Sequence, residues 1–212
     1  MKIKFWKIEY SITLIVIFSI SLLFLPTTFV NSKIPEYIIR WSEVFDKTDY
    51  MFTAMNTHAN ESIIKSIKNA KTDSEREKYM MQLTKSYLRL TEHEKIFKWY
   101  HPKYMNGIKV PKNDYFYFEK FYLSDNGSVV GMKDLKNSNP TEPGFLMMFD
   151  VNGIKSPNTW GQDIYGINIY SDGKITPFGA NLDLKIIEND CSQHGHGVYC
   201  SQYYRIGGNF ND

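Results

Sequence analysis

The segment from Tyr10 to Val30 carries no charged side chain, and Ile, Leu, Val and Phe dominate it from Ile12 to Leu25. An α-helix over such a run extends about 30 Å at about 1.5 Å per residue, the thickness of a bilayer's hydrocarbon core. The expectation is a transmembrane helix at 10–30 behind a short tip at 1–9. Lys2, Lys4 and Lys7 lie on that tip. The bias of such charges toward the cytoplasmic side predicts a single-pass protein with its N-terminus inside and its head outside the cytoplasm, with the lipid bilayer as a partner. A cleaved secretory signal shares the basic start, but Thr27-Thr28-Phe29-Val30-Asn31-Ser32 offers no small-x-small site.

A chain of 212 residues accommodates one ordinary domain beside such a helix and is short for two. Of its 25 basic and 23 acidic residues, Lys2, Lys4, Lys7 and Glu9 precede Val30, which leaves 22 of each sign beyond it. A neutral head argues against a nucleic-acid partner, since that affinity needs clustered cations on phosphates. The two cysteines, Cys191 and Cys200, read as one disulfide in an exported domain, stapling a local C-terminal hairpin.

Past the apolar run, Pro35-Glu36 is a helix start, with proline in the first turn and an acid at the positive dipole end. Ile38, Trp41, Val44 or Phe45, Thr48, Phe52 and Met55 follow at helical spacing. Asn56 to Asn60 interrupts this helix, and Asn60-Glu61 opens a short one with Ile63, Ile64 and Ile67. Thr72-Asp73-Ser74 caps another whose apolar face is Met80, Leu83, Tyr87, Leu90 and Phe97, ending near Pro102.

From Asn106 the pattern changes to short β-rich runs separated by Asn106-Gly107, Asn126-Gly127, Asn152-Gly153 and Asp172-Gly173, pairs suited to the positive φ of tight turns. The runs are Tyr115–Leu123, Ser128–Lys133, Gly144–Val151 and Ile164–Tyr170. Alternation sets Tyr115 and Tyr117 on one face of the first and Phe116 and Phe118 on the other, as in a strand buried on both sides. The fold class expected is α+β: a long N-terminal transmembrane and amphipathic helix, a helical region at 31–105, and a β-rich head at 106–212 built on an antiparallel sheet that a helix covers.

One phrase is specific enough to suggest a family. Asp150-Val151-Asn152-Gly153 is followed by Pro157-Asn158, Gly161 and Asp163, then Ile164-Tyr165-Gly166, Ser171-Asp172-Gly173 and Pro177-Phe178-Gly179. This order resembles the C-terminal signature of bacterial pilin-like proteins, the type IV pilins and type II secretion pseudopilins. With Pro26 set on the proline late in that family's apolar helix, Phe5 falls on the aromatic first mature residue and Glu9 on its glutamate. Lys4 stands where the family has the glycine before the prepilin peptidase cut.

The resemblance implies a pilin-like fold and a structural subunit of a type II secretion or type IV pilus system, a minor or degenerate one, in the bacterial cytoplasmic membrane or in a filament. It also implies other pilin-like subunits as partners. Processing and N-methylation at Phe5 depend on whether the peptidase accepts Lys4. A Glu9 carboxylate in hydrocarbon needs a cation, supplied by a neighbour's terminal ammonium in the family, or by Lys4 or Lys7 at the headgroups if the tip is kept. The alternative is a membrane-anchored extracytoplasmic binding module, neither processed nor assembled, that captures a ligand through the aromatic strand and the Cys191–Cys200 loop.

Asp150, Asn152 and Asp163 are oxygen donors on one loop, a candidate calcium set. Gly153 comes too early for an EF-hand glycine, and the same residues serve as plain turn formers. His194 and His196 lack a third ligand nearby and read as loop histidines. No nucleophile elbow, phosphate loop, dinucleotide fingerprint or H-E-x-x-H motif stands in the chain, so no cofactor and no catalysis are expected.

Overall fold

The computed structural model describes residues 2–58, 70, 72–93, 97–137, 139 and 141–210, and within these the side chains other than those of 2–9, 22–32, 58, 73, 74 and 77. The short helix expected at 60–67 lies outside the described residues. Two compact units are present, Met1–Pro35 and Glu36–Asp212.

In the first unit, every side chain from Tyr10 to Ser21 is exposed along helix α1 (Lys2–His58). The transmembrane expectation is corrected here. Among the described residues no helix is long and apolar enough to cross a membrane. From Lys33 onward α1 is a polar helix with one apolar stripe. The α+β content stands, but the transmembrane element of that fold class, the single-pass localisation and the anchor of the binding-module alternative do not. Pro35 lies inside α1 rather than at a helix start.

In the second unit α1 buries Tyr37, Trp41, Phe45, Thr48, Phe52 and Met55, the stripe that its three-to-four spacing specifies. Helix α2 (Asp73–Leu88) begins at Thr72, whose hydroxyl accepts from the Glu75 N–H at 3.2 Å. It stops at Arg89 in the left-handed conformation, φ 48°. Its buried positions are Arg76, Met80, Thr84 and Leu88, one i, i+4 row rather than the expected row through Leu83 and Tyr87. The early stop removes Leu90 and Phe97 from the helix. The Arg76 guanidinium pairs with Asp134 at 3.0 Å, tying α2 to the sheet.

That sheet is an antiparallel meander of β1 (Lys120–Leu123), β2 (Val129–Asp134), β3 (Pro143–Asp150), β4 (Ile164–Tyr170) and β5 (Ile175–Pro177), in chain order. The four Asx-Gly pairs all turn as their chemistry requires, with φ from 79° to 86° at Gly107, Gly127, Gly153 and Gly173. The aromatic run is the exception: only Lys120–Leu123 is strand. Asp114 accepts from the Phe116 N–H at 2.8 Å, and Lys133 Nζ donates to the carbonyls of Asp114 and Tyr115 at 3.2 and 2.7 Å. Those bonds turn the backbone at 114–116 and occupy its polar groups, so Tyr115 to Phe118 form an irregular cover.

Both sheet faces are buried. Phe145, Met147 and Phe149 of β3 face α1 and α2 with Tyr165, Ile167 and Ile169 of β4. Leu146 and Met148 face an outer layer built from Tyr100, Tyr104, Phe118, Trp160 and Phe178. In register across three strands stand Gly131, Met148 and Gly166. A Cβ at Gly131 would lie 3.1 Å from the Phe118 ring, and one at Gly166 would lie 2.1 Å from the Phe178 ring. The two glycines therefore admit aromatic rings onto this face. Beyond the sheet, α3 (Leu184–Asp190), α4 (Cys200–Tyr203) and a 3-10 turn (Tyr204–Ile206) close the unit.

Candidate functional site

The loop between β3 and β4 carries the phrase from Asp150 to Asp163, and its geometry is set by two buried carboxylates. Asp150 ends β3 and Asp163 precedes β4, and neither has solvent exposure. Asp163 accepts the backbone N–H groups of Asn158 and Thr159, one on each oxygen, at 2.9 and 2.6 Å. Asp150 Oδ1 accepts from the Asn152 N–H at 3.2 Å. Its Oδ2 accepts from the Tyr100 hydroxyl at 2.8 Å. With its amide nitrogen turned inward, Asn158 also donates to Asp150 Oδ2 at 3.0 Å and to the Lys155 carbonyl at 2.8 Å.

The remaining residues of this loop segment each have a backbone reason. Asn158 sits at φ 50°, a left-handed conformation that asparagine tolerates better than most residues. At Gly153, φ 79°, a Cβ would lie 2.4 Å from the Gly127 carbonyl. At Gly161, φ 79°, it would strike Met105 and the Cys200 sulfur at 2.5 and 2.6 Å. Pro157, after a cis peptide bond, offers its carbonyl to the Thr159 hydroxyl at 3.1 Å.

The loop is joined to its surroundings at several points. Asn152 Nδ2 donates to the Tyr37 hydroxyl at 3.2 Å and Arg40 to the Val151 carbonyl at 3.4 Å, both from α1. Lys103 N–H donates to the Asn158 carbonyl at 3.0 Å, and the Trp160 N–H returns to the Lys103 carbonyl at 2.9 Å. The Tyr204 hydroxyl donates to the Gly161 carbonyl at 3.0 Å. One short loop thus fastens the helix layer, the sheet and the outer layer together.

Burial pushes both carboxyls up. Asp163 rises to about 7, with its backbone hydrogen bonds opposing the shift. Asp150 rises well above the ordinary range, first from burial and then from the neighbouring Asp163 charge. Tyr100 is raised well above its ordinary value by burial and by Asp150. Hydrogen-bonded buried carboxylates of this kind define a rigid turn.

Asp150, Asn152 and Asp163, the candidate calcium set, do come together, and each carboxylate oxygen already accepts from a protein donor. Among the described residues no group of three or more His, Cys, Asp or Glu is placed to hold a metal. His194 and His196 are exposed, and the His196 ring stacks on Tyr104 with centroids 4.3 Å apart. Cys191 and Cys200 form the expected disulfide, Cα–Cα 4.9 Å. It joins the end of α3 to the start of α4, not the two arms of a hairpin. Lys4, Phe5 and Glu9 belong to α1, and their side chains lie outside the described residues.

Three partners of the site escape a linear reading. Tyr100 is 50 positions from Asp150, and Tyr37 is 115 from Asn152. Ser201, from α4, accepts from the Gly166 N–H at 2.9 Å while its carbonyl accepts from Trp41 at 3.0 Å. A buried hydroxyl or indole in search of a partner is the only signal the sequence holds for them. No protein-family model matches this chain, and neither a curated protein nor a solved structure matches it.

Proposed function

We propose that this chain is a pilin-like structural subunit, of the type II secretion or type IV pilus class, whose work is assembly with other such subunits. The observation that carries the reading is the stretch from Tyr10 to Ser21, where Ile12, Leu14, Ile15, Val16, Ile17, Phe18 and Ile20 set apolar side chains on every side of the helix among a few serines and threonines, all of them exposed. A helix with large apolar side chains on every side is stable in water only when covered. Packing beside equivalent helices of neighbouring subunits supplies that cover without any further element of this chain. The clamp at Asp150–Asp163 supports the same reading, because its buried hydrogen bonds make the head rigid.

On this reading Phe5 is the first residue of the mature subunit and Glu9 its assembly carboxylate, with a prepilin peptidase acting after Lys4. The test is disulfide crosslinking of Val16→Cys protein in bacteria carrying the assembly machinery, with N-terminal mass spectrometry of the product. Crosslinked ladders in the fraction sheared from cells are expected, together with an N-methylated Phe5 start. Monomer alone, starting at Met1, would overturn the proposal.

A further inference from the structure

A groove of about 950 Å³ opens on the outer layer of the second unit. That volume falls in the range of small-molecule sites, about 300–1,000 Å³. Its wall is aromatic: Phe97, Phe116 and Phe121 line it, each only half-buried although the layer beneath them is fully covered. Phe97 and Phe121 are held by ring contacts, with Tyr100 and Phe121 centroids 4.9 Å apart and Phe97 and Phe121 5.8 Å apart, and Phe116 rests on buried Phe178 at 5.1 Å. Tyr100 is in turn anchored on Asp150. The wall is therefore preformed.

The rim is cationic. Lys98, Lys109 and Lys112 line it, and all three are exposed. Among the described residues none of the three is joined to a carboxylate by an ion pair. Lys120 adds a fourth ammonium, set against the two carboxylates of Glu92 and Glu119, and His93 and His101 complete the polar lining. An apolar ligand without charge would fill the wall and leave the lysines solvated, gaining nothing from them. A polyanion has no extended basic track to follow on a chain of such balanced charge. An apolar or ring-bearing body with one anionic head satisfies both parts.

We propose that this groove binds a small anionic amphiphile, free in solution, with its apolar body against Phe97, Phe116 and Phe121 and its carboxylate, phosphate or sulfonate head at Lys98, Lys109 and Lys112. The aromatic segment near 116–121 contributes to the site, and the Cys191–Cys200 loop does not line it.

The probe is 8-anilinonaphthalene-1-sulfonate, compared with the uncharged N-phenyl-1-naphthylamine, which has the same apolar body. The folded protein is expected to bind the sulfonate saturably with one site, at least about ten-fold tighter than the neutral dye. Affinity should fall several-fold when salt is raised from about 50 to about 500 mM, as screening of a few exposed charges requires. The Lys98→Gln, Lys109→Gln, Lys112→Gln triple variant should weaken the sulfonate about five- to ten-fold, while Lys155→Gln, outside the groove, leaves it unchanged. Absence of saturable sulfonate binding, equal affinity for the two dyes, or salt-independent binding would each overturn the proposal. So would wild-type affinity in a folded triple variant. The dye pair and the salt series use the unaltered chain, so they decide the matter even if the variant fails to fold.

Discussion

The Tyr100 hydroxyl donates to Asp150 Oδ2 at 2.8 Å, with both side chains buried. This bond links the outer layer to the end of β3, and it gives a buried carboxylate a donor that water cannot supply. Tyr100→Phe removes the donor and keeps the ring, so the packing against Phe121 survives. The expected cost is about 1–3 kcal/mol, the range for a buried acceptor left short of a partner. The loss should be larger at pH 8 than at pH 5, because the hydroxyl favours the charged carboxylate. Urea unfolding at the two pH values measures it, and a variant equal to wild type at both would refute the role given to the bond.

Asp163, raised to about 7, and Asp150, raised in the same direction, set the sign of the pH dependence. An unfolded aspartate ionises near pH 4, so between about pH 4 and 7 the folded state holds protons that the unfolded state has released. Stability therefore falls as pH rises through this window. Thermal unfolding should show a higher midpoint at pH 5 than at pH 8. A midpoint that climbs over the same range would show that the backbone N–H donors at Asn158 and Thr159 outweigh burial.

The glycine row on the outer sheet face makes a packing prediction. Gly166→Ala places a methyl 2.1 Å from Phe178 Cε2, and Phe178 is itself buried against Phe116 and Trp160. Overpacking of this kind costs about 1–3 kcal/mol. In a double-mutant cycle, Phe178→Leu should recover part of that loss by yielding space. Purely additive costs would show that the ring is not what excludes the methyl.

The Cys191–Cys200 disulfide closes a loop with a sequence separation of 9. The chain-entropy estimate for such a loop is about 2–3 kcal/mol. The Cys191→Ser, Cys200→Ser double variant should lose about that much stability in denaturant unfolding and keep its β-sheet circular dichroism, since the bond ties α3 to α4 and not the sheet strands. Loss of the sheet signal would show that the C-terminal helices are required for the meander itself.

Sheet and turns were legible for a local reason. The Asx-Gly pairs carry their own instruction: at three of the turns Asn106, Asn126 and Asp172 accept from the N–H two positions on, at 3.1, 3.0 and 2.9 Å. Alternation and apolar content then placed β2, β3 and β4 within a residue or two. The stripe of α1 from Trp41 to Met55 was equally plain, because its period matches the helix. Where expectation failed, a non-local partner or a single backbone state intervened. Lys133 and the Asp114 turn took Tyr115 to Phe118 out of the sheet, and Arg89 at a positive φ ended α2 before Leu90 could join its face. β5 is only Ile175–Pro177, too short to show a period. The candidate site was half legible: the phrase Asp150–Asp163 marked the loop, while its anchors Tyr100, Tyr37 and Tyr204 lie in distant segments.

Local chemistry written in the sequence determined the turns, the meander, the amphipathic stripe of α1 and the pairing of Cys191 with Cys200, because each depends on the period or proximity of a few neighbouring residues. The tertiary structure alone decided that both faces of the sheet are covered and that Gly131 and Gly166 make room for Phe118 and Phe178. It also decided that buried Asp150 and Asp163 clamp the loop between β3 and β4 and that a lysine-rimmed aromatic groove opens on the outer layer. Those features depend on which surfaces exclude water from one another, and that is settled only when segments far apart in the chain compete for the same apolar area and the same hydrogen-bond donors.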